Sequence, residues 1–202
     1  MSDSLPVDLA ILLPAETGRA ATDLNRLLLE RHPNGYPLDD THLPHITLIQ
    51  QFVQTAAIDR LSGVVESFLS EFSPMSLRAE GPGKGGSTVH VRIAEMESLE
   101  ALHRRAHASL GAFAASGGHA VSFFSAGMPA RPGDAEWIAG YRDVASLENF
   151  NPHITLGVGE LVDLDAVGPL APWLFDVDRV ALCHVGAHGT CRRILREWRL
   201  TE

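Results

Sequence analysis

The sequence predicts an α+β fold with antiparallel sheets, and three observations carry the prediction. Strand-like and helix-like segments alternate irregularly, hairpins recur, and one strand-opening pentapeptide appears twice. A doubly wound parallel sheet would need a regular alternation of strand and crossover helix, which this chain lacks. The 202 residues suit one domain or two intimate lobes, and no linker-like composition divides them. With 45% apolar and 20% charged residues the chain can bury a sizeable core.

Val7 to Leu13 is a short apolar run closed by Pro14, the pattern of a buried strand. A helix is expected from about Gly18 to Arg31, with Ala20, Leu24, Leu27 and Leu28 at helical spacing and Pro33-Asn34-Gly35 as its stop. Residues 33–44 form a long loop, of a length often kept for function. His45 to Val53 has the β-branched content of a strand, and Ile58 to Phe68 reads as an amphipathic helix. Ser76–Ala79 and Thr88–Ile93 are expected strands joined by a glycine-rich loop. A helix follows from Ser98 to about Ala115, ended by Gly117-Gly118. Val121–Ser125 is a further strand candidate. Asp134 to Val144 is expected to be a helix with Asp134 as its cap, and His153–Val158 a strand. A short helix near Asp163–Val167 and two long strands, Leu174–Val185 and Thr190–Leu200, complete the prediction.

A formal charge of −9 argues against a protein that coats long nucleic acid by neutralising many phosphates, yet it leaves room for one local phosphate pocket. The first residues lack a basic and apolar leader, and no apolar run reaches the roughly 18 residues of a membrane span. A soluble, cytoplasmic protein is expected. Cys183 and Cys191 are the only cysteines, so no disulfide framework is expected. They lie in Cys183-His184-x3-His188-x2-Cys191, but four ligands in one hairpin converge poorly on a tetrahedral ion. Two reduced thiols are the better reading.

The repeat is Pro44-His45-Ile46-Thr47-Leu48, matched by Pro152-His153-Ile154-Thr155-Leu156. In a strand, His45 and Thr47 point one way while Ile46 and Leu48 point the other, and likewise in the second copy. Each copy therefore has a polar face to line a cleft and an apolar face to anchor on a core. Two imidazoles and two hydroxyls in one space suit displacement at phosphorus. One neutral histidine takes a proton from the attacking water or hydroxyl, and the other, protonated, gives one to the leaving oxygen. The threonine hydroxyls can donate to non-bridging phosphate oxygens. No metal or cofactor is required by this set.

On these two His-x-Thr motifs, about half a chain apart, the sequence resembles the 2H phosphoesterase superfamily, which includes the 2′-5′ RNA ligase-like proteins and cyclic phosphodiesterases. The resemblance implies a single bilobal, pseudo-twofold domain over residues 1–202, with antiparallel sheets lining a central cleft and helices outside. It implies His45, Thr47, His153 and Thr155 as the catalytic tetrad, acting on a small nucleotide or RNA terminus. The implied chemistry is hydrolysis of 2′,3′-cyclic phosphates or 2′-5′ bonds, with 2′-5′ ligation as the alternative. Which histidine is acid and which is base stays open. A non-catalytic nucleotide-binding module and a metal-dependent hydrolase are the rival classes, and a monomer is expected.

Weaker candidates surround the tetrad. Gly81-Pro82-Gly83-Lys84-Gly85-Gly86 fits Gly-x-Gly-x-x-Gly, but a strand rather than a helix follows it, so a hairpin connection is favoured. Lys84 is a candidate phosphate contact if that loop covers the cleft, and Arg131 is another. Tyr36 and Phe150 are candidates for stacking on a base, where one ring is worth about 1–3 kcal/mol. For Phe150 packing is the stronger reading. His42, three residues before His45, is a candidate supporting residue. His103 and His107 stand four apart on a predicted helix but lack a third ligand, and are expected at its surface border.

Overall fold

The computed structural model describes residues 3–116, 118–126, 128–165 and 173–202. Among the described residues eight strands form one antiparallel sheet: β1 Ser4–Leu12, β2 His45–Gln54, β3 Met75–Gly85, β4 Thr88–Ile93, β5 His153–Val158, β6 Trp173–Val177, β7 Arg179–Val185 and β8 Cys191–Arg199. The helices are α1 Ala15–Arg31, α2 Ile58–Leu69, α3 Glu97–Leu110, α4 Asp134–Val144 and α5 Leu161–Asp165. Strand order is β6-β3-β4-β5-β2-β1-β7-β8, so two four-stranded halves meet at β5 and β2. That junction is narrow. It consists of the single pair Ile46–Ile154, the centres of the two repeated pentapeptides. The two lobes expected from the repeat thus share a continuous sheet.

The sheet is curled, and the chain itself requires it. β6 is the outermost strand of one half and β7 lies in the other, yet only Asp178 separates them. Two peptide steps span at most about 7.6 Å between Cα atoms, so the two halves must come together at that end. The main core lies on the face that carries Leu9, Ile11, Ile46, Leu48 and Ile154. Leu24 and Leu28 of α1, Leu61, Val65 and Phe68 of α2, and Leu99, Leu102 and Ala106 of α3 cover it at helical spacing. The opposite face is left for the cleft, and α4 closes one end of it by packing Ile138 with Phe52, Phe123 and Val185. Among the described residues no helix is long and apolar enough to cross a membrane.

Several expectations need correction. The glycine-rich stretch is not a loop: β3 runs through it and pairs Gly83 with His90 and Gly85 with Thr88. Gly83 is needed there for close approach, since a Cβ on it would stand 2.3 Å from Nε2 of His90. Val121–Ser125 forms no strand. A 3-10 turn at Ala120–Ser122 instead drops Phe123 onto Phe52, and this packing outweighs the β-propensity of the segment. The expected strand Leu174–Val185 is broken at Asp178 into β6 and β7, which serve different halves. The third helix stops at Leu110 and continues as a 3-10 turn to Phe113; its predicted stop at Gly117 lies outside the described residues. The short helix is Leu161–Asp165, and positions 166 and 167 of its predicted range also lie outside.

Candidate active site

His45, Thr47, His153 and Thr155 all line one cleft of about 490 Å³ on the concave face. Each motif opens its strand directly after a proline, and the burial pattern alternates as side-chain geometry demands. Ile46, Leu48, Ile154 and Leu156 are fully buried in the core, whereas the four polar residues are partly open. Continuing the antiparallel register outward from Ile46–Ile154 sets His45 across from Thr155 and Thr47 across from His153. Each histidine thus has a threonine of the other motif as its cross-strand neighbour.

The two imidazoles are oriented in the same way. Nδ1–H of His45 donates to the Leu43 carbonyl at 2.7 Å, and Nδ1–H of His153 donates to the Asn151 carbonyl at 2.7 Å. Because a carbonyl only accepts, the hydrogen must sit on Nδ1 in the neutral rings, which leaves Nε2 of each with its lone pair free.

Beneath this symmetry lies an asymmetric partner that sequence reasoning missed. Asp8 of β1 is fully buried. Its Oδ2 accepts from the Thr47 hydroxyl at 2.8 Å and from Gln50 Nε2 at 2.7 Å, and lies 3.4 Å from His45 Nε2. A bulge lets Thr47 and Gln50, three apart, reach the same carboxylate: Ala10 pairs with Thr47 but Leu9 pairs with Ile49, so Leu48 is the extra residue. Gln50 also donates to Gly189 O and accepts from Trp137 Nε1, tying Asp8 to α4. The signal was present in the sequence as a carboxylate inside an otherwise apolar strand, a residue rarely buried without a task.

Electrostatics differ between the motifs accordingly. Burial works to lower the His45 pKa, but the Asp8 carboxylate and the Leu43 carbonyl overcome it and the net shift is upward. Burial lowers the His153 pKa, and the nearby His45 adds to that, against weaker raising by Asn151 and Asp8. A third imidazole, His90 of β4, lies 4.5 Å from the His153 ring. Burial, with His153 and Arg92 nearby, pushes its pKa down to about 4.

The remaining candidates divide. Tyr36 lines the cleft from a fully buried position, its ring 4.8 Å from His188 and 5.8 Å from His42, and burial raises its pKa to about 12. Arg131 also lines the cleft, with Nε and Nη2 donating to Asp134 Oδ1 at 3.1 and 2.7 Å. Asp134 is not a helix cap: its Oδ2 accepts the backbone N–H of Arg131 and of His188, fastening two loops at the cleft mouth. Lys84 and Phe150 do not line the cleft. Lys84 is drawn into an ion pair with Glu160, and Phe150 stacks at 3.9 Å on His103, so its ring serves packing. His103 is itself buried rather than at the surface, donating Nδ1–H to Leu48 O and accepting Leu147 N–H at Nε2.

Metal-binding chemistry has one grouping to consider among the described residues: Asp8, His45 and Cys191, whose ligand atoms lie within 4.8 Å of one another. Burial, followed by Cys183 and Asp8, holds the Cys191 thiol well above its usual pKa, so it is neutral at pH 7. Cys183 and Cys191 are free and buried. His184 and His188 do not join them, being turned to Ser122 O and to the Tyr36 ring.

Comparison with known proteins fits this architecture. A family model described as the 2′-5′ RNA ligase superfamily matches residues 16–189. TT0787 of Thermus thermophilus is similar in structure, with TM-score 0.62 at 18% identity over 97% of this chain and 98% of that one. Escherichia coli LigT complexed with 3′-AMP gives TM-score 0.57 at 18% identity over 98% and 99% of the two chains. LigT complexed with ATP gives 0.54 at 17% identity over the full length of both. None of the curated proteins compared matches significantly. With the family model spanning well over half of the sequence, and both of its His-x-Thr pentapeptides meeting at the centre of the sheet, the chain belongs to the 2′-5′ RNA ligase superfamily of 2H phosphoesterases.

Proposed function

We propose that this protein is a metal-independent phosphodiesterase that hydrolyses 2′,3′-cyclic phosphates or 2′-5′ phosphodiester bonds in nucleotides or RNA ends. The observation that carries the reading is the convergence of both His-x-Thr faces on one cleft. The reaction needs one nitrogen to remove a proton from water, a second to protonate the departing ribose oxygen, and donors for the phosphate. Two Nε2 atoms and the Thr155 hydroxyl supply those parts with no cation, while the Thr47 hydroxyl, expected from the motif as a second phosphate donor, is held by Asp8. A volume of about 490 Å³ suits a nucleotide rather than a duplex, in keeping with the 3′-AMP and ATP in the LigT structures. Arg131, half exposed in the cleft wall, is proposed to meet the sugar-phosphate, whereas Tyr36, with its ring buried against His188 and His42, is left to shape the wall rather than to stack on the base.

The test is a screen of 2′,3′-cyclic mononucleotides, 2′-5′ dinucleotides and cyclic-phosphate-ended oligomers, with and without EDTA. Turnover lost in His45→Ala and His153→Ala, by about 10²–10⁴-fold each with folding intact, is expected. Failure to turn over any of these substrates, or equal turnover by the histidine variants, overturns the reading.

A further inference from the structure

The two motifs are identical in sequence, yet the protein around them is not. The Thr47 hydroxyl donates its hydrogen to Asp8, while among the described residues the Thr155 hydroxyl has no hydrogen-bond partner. Nε2 of His45 has a buried carboxylate 3.4 Å away, whereas Nε2 of His153 has none. Asp8 is held in place by Thr47, by Gln50 and through Gln50 by Trp137, and its second oxygen, Oδ1, is buried without a partner. A carboxylate so enclosed is expensive to keep charged unless a cation answers it, and among the described residues the one imidazole within ion-pair reach is His45.

We propose that Asp8 is a positioning residue that divides the labour of the pseudo-symmetric tetrad, fixing His45 as the proton donor and leaving His153 as the base and Thr155 as the free phosphate donor. The inference rests on the phosphodiesterase reading above and goes beyond it by assigning direction to the site. At 3.4 Å the Asp8–His45 pair is longer than the roughly 2.7–2.9 Å of a charge-assisted hydrogen bond. The carboxylate therefore stabilises the imidazolium without tying up its hydrogen. In hydrolysis of a 2′,3′-cyclic phosphate, Nε2 of His153 takes one proton from water as the water oxygen bonds to phosphorus. The bond from phosphorus to one ribose oxygen breaks, and Nε2–H of His45 passes its proton to that oxygen. A phosphomonoester and a ribose hydroxyl result, and exchange of one proton from His153 to His45 through solvent restores the start. Thr155 donates to a non-bridging oxygen, and Thr47 holds Asp8.

The groups that face His45 are Asp8 on β1, Cys191 at the start of β8 and His153 on β5; those that face His153 are His45, Asp8, and His90 and Arg92 of β4. Only Asp8 favours the charged form of His45 among them. In the wild type, imidazole resonances followed by NMR should show His45 titrating at higher pH than His153. Asp8→Asn keeps the shape and removes the charge. It should move the His45 titration and the basic limb of the kcat/KM profile to lower pH, with a loss of about 10–100-fold in activity, as for carboxylates that orient metal-bound histidines. Thr155→Val should lower kcat by about 10²–10³-fold and Thr47→Val by less. A wild type in which His153 titrates above His45, an unmoved His45 titration in a folded Asp8→Asn variant, or a larger loss in Thr47→Val than in Thr155→Val overturns the assignment. A shifted titration in a protein that turns over no phosphodiester leaves the Asp8–His45 linkage standing and overturns the phosphodiesterase reading instead.

Discussion

Asn25 holds the two halves of the site in relation, and replacing it offers a sharp measure of that coupling. The residue sits on α1 with its side chain buried. Its Nδ2 donates to the Tyr36 carbonyl at 3.0 Å and to the Leu156 carbonyl at 2.8 Å, while its Oδ1 accepts the Leu38 N–H at 2.8 Å. One amide thus ties the loop that carries Tyr36 to the strand that carries His153 and Thr155. Asn25→Ala strands three backbone groups, each worth about 1–3 kcal/mol when buried and unpaired. Because water can reach part of the loop, the lower end applies to each and the sum is about 3 kcal/mol. With a urea slope of about 2 kcal/mol/M, the unfolding midpoint should fall by about 1.5 M. Such a loss is a large share of the roughly 5–15 kcal/mol that holds a domain together. In the folded fraction KM should rise more than kcat falls, since the proposed acid–base pair is untouched. Equilibrium urea unfolding followed by fluorescence and circular dichroism measures the first effect, and steady-state kinetics the second. A midpoint change under about 0.3 M would show that the three bonds are replaced by water and that Asn25 is no strut.

Leu48→Ala and Leu156→Ala act on the core side of the same strands, where both residues are fully buried, and should each destabilise by about 2–5 kcal/mol in urea melts. A variant that loses activity while keeping its melting point would contradict that division of faces. His90 sets a pH dependence. Burial, with His153 and Arg92 beside it, depresses its pKa from 6.5 to about 4, so the unfolded chain takes up a proton first as pH falls. Its contribution is complete above about pH 6.5 and is lost as pH falls toward 4; His90→Gln should flatten the urea midpoint across that window, and an unchanged slope would refute it. Turnover should survive EDTA, and activity lost on chelation and restored by zinc or manganese would point to a metal hydrolase.

The sequence exposed what depends on local pattern. Leu24 and Leu28, or Leu61, Val65 and Phe68, reveal α1 and α2 because their spacing already presents one face to a core. The repeated pentapeptides reveal the polar faces of β2 and β5 because alternation is a property of each strand alone. Features set by distant partners stayed hidden. Nothing local says that Gly83 must lack a side chain to receive the His90 ring, or that Asp178 divides two strands. Phe150 stands near the second motif in sequence, but His103 captures its ring from a distant helix, and that contact decides its role. Asp8 was legible as an anomaly; its meaning was not, because the bulge that brings Thr47 and Gln50 to it belongs to the pairing of two strands.

The order of the strands also bears on how the molecule is made. The half-sheet β6-β3-β4-β5 is drawn from one continuous stretch between Met75 and Val177, nested between the pieces of the other half. The half that carries His45 needs β1 and β2 from early in the chain and β7 and β8 from its end. On a ribosome, synthesis proceeds from the N-terminus and units fold as they are completed. The inner half has all its strands once Val177 is made, while the outer half still awaits β7 and β8, which follow directly and end at Arg199. Until β7 emerges, one edge of β1 is unpaired, and Asp8 beside it has neither Cys183 across the strand nor Cys191 beneath it. An open strand edge is a template for association with other chains, so the nascent protein carries a sticky flank until β7 arrives. Closure of the flank and completion of the floor beneath His45 are one event, and a chain cut short of β7 and β8 loses both.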